Sequence, residues 1–132
     1  MKLTISKTRT FIPEFNGNKD CSPTEQIEVT IKNPTIAIKD KVFSRSETVA
    51  RADANGRVEG IDISLKTDDV AVLRAMVEKI TNLSYEDDDG KEIKIVSVSD
   101  LLAAPIQFAP LMNEILAECN KALNESEINE KN

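Results

Sequence analysis

Glu25-Gln26-Ile27-Glu28-Val29-Thr30-Ile31-Lys32 places Ile27, Val29 and Ile31 on one face and Glu28, Thr30 and Lys32 on the other. A period of two is the pattern of a strand with one face in a core and the other in water. Asn33-Pro34 ends it, because proline has no N–H to give to a ladder. Upstream, Phe11-Ile12-Pro13 and the turn residues Asn16-Gly17-Asn18 predict an extended N-terminal arm that enters the sheet through a loop. Downstream, Thr35 to Ala54 has no clean period. A second alternating run follows Asn55-Gly56, with Ile61, Ile63 and Leu65 inward and Asp62, Ser64 and Lys66 outward; Gly60 marks a bulge within it.

The period then changes. Val70, Leu73, Val77 and Ile80 recur at helical spacing with Met76 beside them, behind Thr67-Asp68-Asp69 as cap and first-turn acids. This predicts a helix ending near Asn82, with Glu78 and Lys79 on its wet side. Leu83-Ser84-Tyr85, the acidic turn Glu86-Asp87-Asp88-Asp89-Gly90, and Ile93, Ile95 and Val96 together predict a hairpin. Ser99-Asp100 is expected to cap a short helical turn through Ala104, which Pro105 interrupts. A longer helix restarts around Pro110, a residue suited to the first helical position. Its apolar stripe is Met112, Ile115, Leu116, Cys119 and Leu123, flanked by Leu111 and Ala122.

The class is therefore α+β: a small N-terminal antiparallel β region followed by a mainly helical C-terminal part with one β-hairpin. With 132 residues a single domain is expected, made of a β-rich part over 1–66, a helical part over 67–123 with the hairpin near 83–98, and a polar tail over 124–132 that frays. A chain of this length buries roughly two-thirds of its unfolded surface and needs no disulfide or metal to hold a core.

Net charge is −6, from 23 acidic and 17 basic residues. No dense Lys or Arg cluster tracks a phosphate backbone, and four Phe, one Tyr and no Trp leave few rings for base stacking, so nucleic acid is not an expected partner. No run approaches the ~18 apolar residues of a membrane span. The Met1–Lys7 segment has no signal-peptide core, and the chain is expected to stay where it is made.

Histidine is absent, which removes the commonest general base and most zinc sites. Cys21 and Cys119 have no CxxC spacing and read as two idle thiols. Asp68-Asp69 and Asp87-Asp88-Asp89 stand where helix starts and exposed turns normally carry acids. The EF-hand register around Asp89-Gly90 puts Tyr85 at the first ligand position and Val96 at the glutamate position, and around Gly56 it puts Arg51 first, so both are turns. Gly17, Gly56, Gly60 and Gly90 form no phosphate loop. The expectation is a non-enzymatic chain without cofactor or metal. The stripe of the last helix has two readings, plain core or a groove for a partner.

The chain resembles the tail assembly chaperones of long-tailed bacteriophages. The resemblance is carried by Phe11-Ile12-Pro13 with the stretch Glu25 to Thr35, by Asp88-Asp89-Gly90-Lys91-Glu92-Ile93, by Asn113-Glu114-Ile115-Leu116, and by the terminal Glu130-Lys131-Asn132. It implies a protein that coats the tape measure protein, keeps it soluble, helps recruit tail tube subunits, works in the cytoplasm of the bacterial host and is absent from the mature virion. It also implies a longer form made by ribosomal frameshifting, with which a GAA-AAA-AAC ending is compatible. Under it, Leu111, Met112, Ile115, Leu116 and Cys119 form the partner-binding surface, an assignment that fails if they are buried. Self-association through exposed strand edges is a further expectation. Two alternatives stand beside it. One is a structural virion protein such as a tail tube or tail completion subunit. The other is a small enzyme or regulatory domain, which a deep pocket with shifted titrations would favour.

Overall fold

The computed structural model describes residues 1–42 and 67–131. The strand expected at Ile61, Ile63 and Leu65 lies outside the described residues. Strand β1 (Thr8–Phe11) pairs antiparallel with β2 (Glu28–Lys32), and β2 pairs antiparallel with β3 (Val77–Thr81), giving a sheet of order β1-β2-β3. A second antiparallel pair, β4 (Ser84–Glu86) and β5 (Glu92–Lys94), is the expected hairpin. Helix α1 covers 36–42, α2 Thr67–Met76, α3 Val98–Leu102 and α4 Ala109–Lys131. The class is α+β, as the alternation and the helical stripes predict.

The alternation of β2 decides where the core lies. Val29 and Ile31 are fully buried, whereas Lys32 is exposed, so helices cover one face of the sheet. With Ile80 of the neighbouring β3, Val29 and Ile31 share one core cluster with Leu73 and Met76 of α2, Leu101 of α3, and Leu111, Ile115 and Leu123 of α4. Full burial of each such aliphatic side chain contributes about 1.5–3 kcal/mol. Across the sheet edge, Arg9 of β1 donates from both terminal guanidinium nitrogens to the Glu125 carboxylate, donates from Nε to Asn33 Oδ1 at 3.0 Å, and lies 3.7 Å from Glu118. This ties β1 to α4.

Three expectations are corrected. The helix does not run to Asn82: it stops at Met76, and Val77–Thr81 is a strand. Val77, Ile80 and Thr81 are β-branched and favour extended backbone, and β2 offers an open row of N–H and C=O groups. Pairing there still buries Ile80, so the residue serves the core in either conformation. The chain then turns at Asn82, which adopts the left-handed region (φ 63°) and donates through Nδ2 to the Thr24 and Gln26 carbonyls. Secondly, the cap of α3 is Ser97, whose hydroxyl accepts from Asp100 N–H, while the Asp100 carboxylate accepts from Val96 N–H. Thirdly, α4 continues through the expected polar tail to Lys131, with Glu125 held by Arg9. Among the described residues no helix is long and apolar enough to cross a membrane.

Candidate partner-binding surface

The stripe chosen from helical periodicity is core. Leu111, Ile115 and Cys119 are 0% exposed and Met112 is also buried, while Leu116 is half-buried against the same cluster. Its assignment as a free partner-binding surface is therefore corrected: Leu111, Met112, Ile115 and Cys119 belong to the core shared with α2 and β2, and none of these four meets another protein without unpacking it. Burial also pushes the Cys119 thiol up to about 12, with the charge of Glu118 adding to the effect. The chain's other thiol, Cys21, is exposed, and both are free.

Exposed apolar surface gathers elsewhere. Three of the chain's five aromatic residues, far apart in sequence, meet in space. Phe108 lies 5.8 Å from Phe15 and 5.6 Å from Tyr85, ring centre to ring centre, in tilted geometries, which aromatic quadrupoles favour over flat stacking. All three are half-buried.

Each ring is placed by local chemistry. Phe15 opens a 3-10 turn, Phe15–Asp20, in which Asn16 (φ 52°) and Gly17 (φ 74°) take left-handed backbone suited to those two residue types. Buried Asn18 holds this turn to the start of β2. Its Nδ2 donates to the carbonyls of Pro13 at 2.8 Å and Ile27 at 3.2 Å, and its Oδ1 accepts from Ile27 N–H at 2.6 Å. Glu14 N–H donates to the Glu114 carboxylate of α4 at 2.7 Å. Phe108 ends the 3-10 turn Ile106–Phe108 that follows Pro105. Tyr85 is the centre of β4, whose turn to β5 is closed by Asp87: its Oδ1 accepts from Asp89 and Lys91 N–H, and Gly90 (φ 78°) completes it.

Between the 15–27 segment and β4 lies a cleft of about 470 Å³, lined by Phe15, Ile27, Leu83, Ser84 and Phe108 with Glu25 at its side. Glu25, Leu83 and Ser84 also line an adjoining depression that reaches Lys94 and Val96. Ser84, the first residue of β4, lines this cleft. Ile95 N–H donates to the Leu83 carbonyl and Asp87 N–H to the Lys91 carbonyl, so residues 83, 85 and 87 turn their main-chain groups to the other hairpin strand. Ser84 and Glu86 turn theirs outward, and among the described residues nothing pairs with them. Close by, Ile106 is 81% exposed. Such an arrangement offers an added extended segment main-chain hydrogen bonds and a cleft whose apolar walls, Phe15, Ile27, Leu83 and Phe108, alternate with polar ones, Asn16, Asn18 and Gln107.

Among the described residues no group of three or more His, Cys, Asp or Glu is placed to hold a metal ion. No protein-family model, curated protein or solved structure matches the chain. The sequence signal that marks the cleft is the position of its aromatics: Phe15 precedes Asn16-Gly17 and Phe108 follows Pro105. Rings held by turns, outside any periodic stripe, are not committed to a core by periodicity.

Proposed function

We propose that this chain is a non-enzymatic protein-binding module, acting as a tail assembly chaperone that holds the tape measure protein and helps recruit tail tube subunits. The observation that carries the binding reading is the aromatic cleft beside the unpaired edge of β4. The phage assignment rests on the resemblance of Glu25 to Thr35, the Asp88–Ile93 turn and the Asn113–Leu116 helix. In this reading the chain works in the bacterial cytoplasm before particle completion, and it binds and releases without chemistry. The sheet edges also suit a structural virion subunit, of the tail tube or tail completion kind, and the same experiment separates the two.

Tagged chain recovered from phage-producing cells before lysis is expected to bring down a very long, helix-rich partner and to be absent from finished particles. Phe108→Ser is expected to lower that recovery by about tenfold or more, as loss of a central aromatic anchor does, while far-UV circular dichroism is unchanged. Undiminished capture by this variant excludes the cleft. High-copy presence in particles without such a partner replaces the chaperone reading with the structural one.

A further inference from the structure

Residues 1–6 form no strand or helix, and Leu3 and Ile5 are each 73% exposed. They alternate with Lys2, Thr4 and Ser6, continuing the register of β1, so the arm has the pattern of a strand without its partner. The partner runs out for a definite reason. Asn33 N–H donates to the Lys7 carbonyl at 2.9 Å, and Asn33 Nδ2 to the Ser6 carbonyl at 2.6 Å. Pro34 stands opposite Ser6 in this register, and from residue 36 the partner strand gives way to α1.

We infer that the residue 2–7 arm of one copy docks as an added strand on β4 of a second copy, with Leu3 and Ile5 in the Phe15–Phe108 cleft. This rests on the cleft being a protein-binding site and names one occupant for it. Side chains two residues apart on a strand stand about 6.8 Å from each other on one face, a spacing that lets both enter one elongated cleft. Charge selects this edge over the alternative. The arm carries Lys2 and Lys7 and no acid, whereas residues 84–94 carry five carboxylates, Glu86, Asp87, Asp88, Asp89 and Glu92, against Lys91 and Lys94. Pairing β1 with β1 of another copy instead brings Lys2 and Lys7 of both chains to one seam, and like charges facing across strands oppose association. Donor and acceptor are different surfaces, so the contact is head-to-tail and extends from copy to copy unless it closes into a ring. Since the arm and a bound partner use one cleft, each displaces the other.

Light scattering after size exclusion tests this with the full chain and two variants. Leu3→Ser/Ile5→Ser disables the arm, and Glu86→Lys/Asp88→Lys, at two exposed hairpin positions, disables the acceptor. The unaltered chain is expected to gain mass with concentration, and both variants to associate at least about tenfold more weakly, a difference that salt narrows for the acceptor variant alone. Mixing the two variants is expected to restore a one-to-one dimer that grows no further, because the mixture holds one working arm and one working acceptor. A mass independent of concentration overturns the inference, as does undiminished association of the acceptor variant or a mixture that stays monomeric. The arm variant keeps the cleft intact, so partner capture by it reports on the binding reading separately.

Discussion

The two apolar surfaces of this molecule differ in how they are written in the chain and in what they meet. Along α4, Leu111, Ile115, Cys119 and Leu123 recur at helical spacing, and all are buried. At the cleft, Phe15, Tyr85 and Phe108 have no common period, and all stay half-exposed. A regular stripe reports a face that the rest of the same chain must cover. Apolar residues held by turns report surface that secondary-structure packing leaves over.

The largest expected break of this contrast is at the stripe. Ile115→Ala removes a fully buried side chain and is expected to cost about 2–5 kcal/mol in denaturant unfolding, whereas Phe108→Ser is expected to cost less, since its ring is already part-solvated. A smaller cost for Ile115→Ala than for Phe108→Ser reverses the assignment of core and surface. Asn18→Ala comes next: it leaves Ile27 N–H without its acceptor and is expected to cost about 1–3 kcal/mol. The same change loosens the Phe15 wall of the cleft, which a solvent-accessible fluorinated phenylalanine at position 15 reports by a shift in its resonance.

The smallest effect belongs to the Arg9–Glu125 pair that joins β1 to α4. The hydrogen bond from Arg9 holds the Glu125 carboxyl below its ordinary value of 4.5, and Arg9 is raised in turn. A carboxyl depressed on folding stabilises above its unfolded pKa, and that contribution is lost as pH falls through its lowered folded pKa. Both groups are part-exposed, so the pair contributes below about 1 kcal/mol. Glu125→Gln is expected to flatten the acid limb of the stability–pH curve by that amount and leave the neutral plateau lower by the same amount. An acid limb unchanged by the substitution removes the pair from the account.

Much of the fold is legible before any coordinates. The alternation of Ile27, Val29 and Ile31, the turn at Asp87–Gly90, the break at Pro105 and the helix behind Pro110 all stand where residue chemistry puts them. The failure at Val77–Thr81 is instructive, because Val77 and Ile80, three apart, fit a helical stripe, and only a register shift opposite Thr30 and Ile31 sets both beside the buried residues of β2. Local spacing holds no term for an unpaired strand elsewhere in the chain. The candidate site is less legible still: the resemblance implies Leu111, Met112, Ile115, Leu116 and Cys119 as the partner surface, yet most of them follow the helical period, and period selects for burial.

By itself the sequence determined the class, the face of β2 that enters the core, and the acidic turn, since each follows from neighbours within a few residues. Tertiary structure alone decided that Val77 leaves the helix to pair with β2, and that Phe15, Tyr85 and Phe108 meet beside an open strand edge. Those outcomes depend on groups tens of residues apart competing for the same hydrogen bonds and the same buried volume, and no local pattern carries that competition.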